Sequence, residues 1–458
     1  MIENGADKMI DKKIDKKALL KNFEEQNDFV EKRVSEGIEK YRKGNADIIV
    51  KDKDGKVVKN AKIKAIQKTH EFNYGANLFM LEEFENKEKN ELYKKYFAEC
   101  FNMATLPFYW SDLEPTEGKP RFEKDSEKVY RRPSPDLCLE FCKKHNIEPR
   151  EHCLVYDQYT PSWLIDEPLE KIKEKLEERM KILAERYKND IPCWEVINEV
   201  LFTGFGGNKR SVFYKEPDLV EWSFKTAEKY FKDNEITIND AVSNVWAGGV
   251  VNYNRSPYYM IIERALNNGA RIDAIGMQFH MFIKKERVEE LAKDMYNPQH
   301  LYKVLDLYSE FDKPLQITEV TIPAYSNDAE DEALQAELIE KLYSIWFSCE
   351  KVEQIIYWNL VDGYAAFAPQ GDMTAGENYY YGGLIRFDLT PKPAYFTIKN
   401  LFEKKWHTEE NIETNENGES TFRGFYGKYD LEIEVNGEKI VKEIDLSKKA
   451  ENKFEIMI

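Results

Sequence analysis

The spacing of apolar positions changes three times along the chain. In residues 1–43 they recur at helical intervals on a Lys/Glu-rich background: Leu19, Leu20 and Phe23, then Phe29, Val30, Val34, Ile38 and Tyr41. That spacing predicts an amphipathic helical segment ending near Gly44, with residues 1–15 frayed. Over 44–69 the period shortens to two on both sides of Asp54-Gly55, which predicts a β-hairpin. From His70 onward, short apolar or β-branched runs alternate with long helical stretches. The predicted strands cover 72–78, 101–105, 148–156, 194–200, 235–240, 274–280, 315–320 and 354–360, with helical stretches such as 167–187 and 328–350 between them. Eight alternations imply a parallel sheet with outer helices, and eight strands close a (β/α)8 TIM barrel, here over 70–406. Beyond it, 410–419 is polar and reads as a loop, and 420–458 returns to alternation around Asn436-Gly437. Neither β piece is long enough to fold alone. The expectation is therefore an α/β fold whose two chain ends, 44–69 and 407–458, build one small accessory β-domain beside the barrel.

Composition narrows the function. A chain of 458 residues has room for several domains, or for one barrel of about 250 residues with appended segments. Lys and Arg number 67 against 84 Asp and Glu, a net charge of −17. Such a surface repels phosphate backbones and anionic membranes, so neither nucleic acid nor membrane is the expected partner. A neutral sugar meets no such penalty. The six cysteines, Cys100, Cys138, Cys142, Cys153, Cys193 and Cys349, form no CxxC pair, so no structural zinc is called for. No run of eighteen apolar residues occurs and the first residues lack an apolar core, which reads as cytoplasmic as written, or secreted if this is a processed form.

A barrel carries its chemistry at the C-terminal ends of its strands. Strand four ends Asn198-Glu199, strand seven carries Glu319, strand six ends Gln278-Phe279-His280, strand three holds His152, and strand eight ends at Trp358. Singly, each Glu is explained by solvation, His280 by a satisfied structural role and Trp358 by core packing. Together, two carboxyl groups at one mouth are what glycoside hydrolysis requires: one acid to protonate the leaving oxygen, one group to attack or to activate water.

The strings WEVINE and ITE on strands four and seven resemble the signature of glycoside hydrolase family 10, the endo-β-1,4-xylanase family. The resemblance runs through HEFNYGANLF, LEPTEG, the PSW after strand three, IND, IGMQFH, YWNLVDGY and GGLIRFDLTPKPAYFTIKNLF, over roughly residues 70–403. It implies a retaining enzyme acting on a β-linked oligosaccharide or polysaccharide without a cofactor or metal. Glu199 is then the acid/base and Glu319 the nucleophile. Asn198 binds the sugar 2-hydroxyl, His280 and Gln278 support Glu319, and Trp358 forms a sugar platform. His152 contributes to substrate binding.

The chain departs from that family on the non-reducing side. After strand two it reads Thr105-Leu106-Pro107-Phe108-Tyr109-Trp110 in place of a Glu-Asn-Lys-Trp segment, and Tyr156-Asp157 stand where Trp-His is usual. Ala365-Ala366 stand near the place of a second Trp, and 372–381 follows as a candidate cleft wall. Tyr109, Tyr156, Asp157 and Tyr159 are the candidates for a rebuilt pocket, and the expected substrate shifts from plain linear xylan toward a decorated or different β-glycan. Two other functions fit the same layout: a non-catalytic glycan-binding barrel, and a metal-dependent barrel lyase or isomerase, for which His152, Asp240 and His280 form no dense ligand cluster.

Overall fold

The computed structural model describes residues 13–201, 210–246 and 253–458. Eight parallel strands, Asn73–Asn77, Met103–Pro107, Glu148–His152, Cys193–Asn198, Glu235–Asn239, Ala274–Gly276, Leu315–Thr321 and Val352–Tyr357, pair in chain order. The eighth returns to the first, with Gln354 opposite Asn73 and Tyr357 opposite Ala76, which closes a (β/α)8 barrel. Strands two, four and seven are buried at every position, as expected of parallel strands covered on both faces. A short extension, Phe279–His280, continues the sixth strand alongside Val320 and Thr321 of the seventh. The outer helices bury one stripe each: Leu169–Tyr187 turns Ile172, Leu176, Met180 and Leu183 inward. Helix Ala329–Ser348 opens with Glu330, Asp331 and Glu332, carboxylates suited to the positive end of its dipole.

The chain ends form two facing sheets. Strand Lys43–Lys51 lies between Glu419–Phe425 and Lys453–Met457, while Lys62–Gln67 lies between Glu409–Glu413 and Gly427–Val435. Ile48, Val50, Ile63, Ala65, Phe422, Leu431, Ile433 and Leu446 fill the space between them. Buried Arg42 ties this domain to the barrel, donating from Nε to Phe347 O at 2.6 Å and from Nη2 to Val352 O at 2.5 Å. Val352 begins the eighth strand, so the accessory domain sits at the end of the barrel away from the C-terminal strand ends.

Three local expectations change. The Asp54-Gly55 turn forms, with Gly55 at φ +79, but only Lys51 and Val57 bridge across it. The chain then crosses to the other sheet, because Ile48 and Val50 cover the core from one side and Ile63 and Ala65 from the other. Residues 410–413, part of the 410–419 stretch expected as loop, belong to the edge strand Glu409–Glu413, which pairs with Lys62–Ile66. Their polar side chains suit an edge, where one side of the strand stays in water, and only Ile412 contributes to the core. The N-terminal segment is two helices, Lys16–Glu25 and Asn27–Tyr41. They part at Gln26, whose amide bonds Asn297 Oδ1 and the backbone N–H of Gln299, each at 3.0 Å. The expected fraying of 1–15 falls mostly outside the described residues. By contrast, Asn436-Gly437 forms a two-residue hairpin loop with φ of +51 and +87, joining Val435 to Glu438. Among the described residues, no helix is long and apolar enough to cross a membrane.

Candidate active site

Two carboxyl groups meet at the C-terminal mouth through different local structures. Glu319 lies inside the seventh strand, where pairing with the eighth shifts register between Ile317 and Val320, and it is buried. Glu199 follows the fourth strand in a left-handed backbone conformation, φ +50. That conformation costs a non-glycine residue roughly 1–2 kcal/mol. Neighbours hold it: Glu199 N–H donates to Asn239 O at 3.0 Å, and Leu201 N–H donates to Asp240 Oδ2 at 3.1 Å.

Gln278, at the end of the sixth strand, links them. Its Nε2 lies 3.0 Å from Glu319 Oε1, 3.1 Å from Glu199 Oε1 and 3.2 Å from Asn198 Oδ1. One nitrogen in reach of both carboxyl oxygens keeps those two oxygens within about 6 Å of each other. Asn239 Nδ2 supplies a second donor to Glu319 Oε1 at 2.8 Å and reaches Asn198 Oδ1 at 3.1 Å. Thr318 Oγ1 donates to Asn239 Oδ1 at 2.6 Å, which fixes which way that amide faces. On the other oxygen, His280 Nε2 stands 3.0 Å from Glu319 Oε2, and its Nδ1 3.0 Å from Thr321 Oγ1. With Glu319 ionised, His280 donates from Nε2 and accepts the Thr321 hydroxyl at Nδ1. Asn198 Oδ1 thus accepts twice, and its Nδ2 has no hydrogen-bond partner among the described residues at the cavity wall.

Glu199 has a different environment. Burial and the nearby charge of Glu319 push its pKa up from 4.5 to about 7, against the opposing bonds from Tyr156 and Gln278. The Tyr156 hydroxyl donates to Glu199 Oε2.

Behind the mouth lies a buried charged layer. Arg150 and Glu195, both fully buried, pair at 2.6 Å. Glu195 also pairs with His152 Nδ1 at 2.9 Å, and His152 Nε2 meets the Tyr109 hydroxyl at 3.0 Å. Burial opposes a charge on His152, but Glu195 outweighs it and its pKa is raised. His152, Cys153 and Glu195 also bring three possible metal ligands together among the described residues. Glu195 is already held by Arg150 and His152, and burial holds the Cys153 thiol well above its ordinary pKa, so the cluster reads as a buried polar layer rather than a metal site.

A cavity of about 790 Å³ opens over the two carboxyl groups. It is lined by Asn198, Glu199, Gln278, His280, Glu319, Trp358, Tyr109, Tyr156 and Tyr159. Tyr109 and Tyr159 stack at 4.2 Å, and Trp358 packs edge-on to Phe79 at 5.1 Å. The 372–381 segment supplies Gly376, Glu377 and Tyr380 to its wall, and Ala366 lines it too. Two of the residues expected to bind substrate lie elsewhere. His152 stands behind Tyr109 and positions it. Asp157 turns away to the backbone N–H of Ser211 at 3.2 Å and to Thr160 Oγ1 at 3.4 Å, so it anchors the chain after strand four. Trp110 is also outside, its indole N–H bonded to Glu114 Oε2 at 2.9 Å. Arg131, Arg132, Phe79 and Asn239 were not singled out from sequence. Asn239 stands in the IND string that the resemblance includes; the two arginines sit between elements, with no periodic signal to mark them.

The closed (β/α)8 barrel thus joins two carboxyl groups, amide donors and stacked aromatic rings at one mouth. Residues 66–401 match Glycosyl hydrolase family 10, and the chain belongs to that family. Anti-sigma-I factor RsgI6 of Acetivibrio thermocellus is 24% identical over 419 residues, 88% of this chain and 47% of that protein. Endo-1,4-beta-xylanase A of Halalkalibacterium halodurans is 25% identical over 285 residues, 55% of this chain and 65% of that protein. The chain therefore spans about half of the first relative and just under two thirds of the second. Xylanase 10B of Thermotoga petrophila RKU-1, solved with xylobiose, shares the fold with a TM-score of 0.57 and 21% identity, over 73% of this chain and 95% of that one.

Proposed function

We propose that this chain is a retaining glycoside hydrolase acting on β-linked glycans of the xylan type. Glu319 attacks the anomeric carbon while Glu199 gives its proton to the departing glycosidic oxygen. Glu199, then a carboxylate, takes a proton from the water that releases the sugar from Glu319. The observation that carries this reading is the shared donor: Gln278 Nε2 at 3.1 Å from Glu199 Oε1 and 3.0 Å from Glu319 Oε1. Oxygens this close are compatible with the carboxyl pair of a retaining enzyme, whose groups lie about 5–5.5 Å apart. The roles divide by environment. Glu199, at about 7, holds a proton to give near neutrality, whereas Glu319 accepts from Asn239, Gln278 and His280, which fix its position for attack. Asn198 Nδ2 is the group for the 2-hydroxyl, a contact that strengthens at the transition state. The xylan class rests on the family and on the xylanases among the relatives.

A glycan-sensing use of the same cavity is the second reading. It is favoured by the match to an anti-sigma factor across 88% of the chain, compared with 55% for the xylanase above. Incubation with a panel of β-glycans, followed by proton NMR of the first product, separates the readings. Sugar release with the β-anomer formed first, lost in Glu319→Gln, supports the hydrolase. An α-anomer first, or binding of xylo-oligosaccharides with no turnover, overturns it. Vigorous cleavage of unsubstituted xylan with an ordinary xylobiose and xylotriose pattern would contradict the expected shift away from plain xylan.

A further inference from the structure

Two consecutive cations face a cavity that, on the reading above, takes neutral sugars. Arg131 is 6% exposed and sits in the left-handed region at φ +63. Its guanidinium meets only neutral acceptors, Asn359 Oδ1 from Nη2 at 2.9 Å and the Tyr364 carbonyl from Nη1. Arg132 donates from Nε to Asp112 Oδ2 at 2.8 Å and from Nη1 to Arg131 O at 2.9 Å. It lies over the Tyr109 ring at 4.2 Å and near Phe79 at 5.3 Å. Glu377 lines the same end, but it accepts from Asn359 Nδ2 at 2.6 Å and Ala366 N–H at 3.3 Å and hydrogen-bonds neither arginine.

Arg131 is thus a buried cation, on a strained backbone, with no carboxylate in its hydrogen bonds. Burial and the adjacent Arg132 both disfavour its charge, and Glu377 opposes them through space without a direct bond; a ligand carboxylate would supply that bond and a neutral sugar would not. With Arg132 Nε and Nη1 engaged, its Nη2 and the remaining N–H groups of Arg131 are left to meet a carboxylate by charge-assisted bonds. Trp358, Phe79 and Tyr109 line the same end and offer apolar faces to a pyranose ring. Asp112 and Glu377 nearby disfavour a dianion such as phosphate and suit a single negative charge. We propose that Arg131 and Arg132 form a subsite for a carboxylate-bearing sugar, a uronic-acid unit carried on the non-reducing side of the glycan.

The proposal rests on the glycan reading of the cavity but not on hydrolysis. The test compares three xylo-oligosaccharides of one length: unsubstituted, carrying glucuronic acid on the non-reducing end, and carrying its methyl ester. Calorimetric affinity and kcat/KM are both measured. The acid is expected to be preferred over its ester by roughly ten- to hundredfold, the size of a charge-assisted pair, with the preference shrinking as salt rises. Arg131→Gln and Arg132→Gln each reduce that preference, and Arg132→Lys keeps part of it. Equal affinity for acid and ester, or no binding of either, overturns the subsite. The wild-type comparison alone decides this even if a variant fails to fold. Tighter binding of the acid without turnover keeps the subsite and removes the hydrolase; turnover without any acid preference does the reverse.

Discussion

The ends of strands four and seven carry the same residue type and treat it in opposite ways. Glu319 sits within its strand at a shift in pairing register, buried, with Asn239, Gln278 and His280 donating to it. Glu199 sits one residue past its strand on a left-handed backbone, with Tyr156 and Gln278 as donors and a pKa near 7. The difference teaches that side-chain chemistry alone does not divide the two groups; the donors around each carboxyl group and the charge beside it do.

The comparison breaks most severely if the donor-rich partner is removed. Glu319→Gln is expected to lower kcat by roughly ten-thousand-fold or more, since the covalent route is lost, as single-turnover kinetics on an aryl glycoside will register. The variant also relieves Glu199 of a neighbouring charge, so its pKa falls, an effect that carboxyl NMR reads directly. Next in size is the layer behind strand four. Arg150→Met leaves the Glu195 carboxylate short of a buried partner and should cost about 3–5 kcal/mol in chemical denaturation.

A smaller effect sharpens the contrast through stability. The folded pKa of Glu199 lies above its ordinary 4.5, so ionising it penalises the folded state. The penalty is absent below about pH 4.5 and fully present above about pH 7. Glu199→Gln should therefore match wild-type stability at pH 4 and exceed it by on the order of 2 kcal/mol at pH 8, measured by denaturant melts at both values. A gain that is equal at both pH values contradicts this assignment. The smallest change concerns Tyr156, whose hydroxyl favours the charged form of Glu199. Tyr156→Phe should move the basic limb of the pH–rate profile upward from about 7, with only a few-fold change at the optimum.

The barrel was legible because eight buried parallel strands leave short apolar runs that helical stretches separate, and each observed strand begins within two residues of its expected start. Glu199, Glu319, Asn198, Gln278 and His280 were legible because they end strands, and barrel geometry brings strand ends together. What stayed hidden depends on contacts between distant segments. Arg131 faces the cavity only because Asn359 and Tyr364, more than two hundred residues later, accept its bonds. His152 and Asp157 occupy suitable positions in the chain, but Glu195 and Ser211 draw their side chains away from the cavity. The Asp54-Gly55 turn is correct as a turn; that its two arms join different sheets follows from a core filled by residues near 430, which no local pattern reports.

The central claim is the division of labour between Glu199 and Glu319, and covalent trapping tests it most directly. A 2-deoxy-2-fluoro xylobioside with a good leaving group slows release of the sugar more than its attachment. Peptide mass mapping of the inactivated protein should then locate one sugar ester on Glu319 and none in Glu319→Gln. A sugar on Glu199, or steady turnover with no ester formed, would contradict the account.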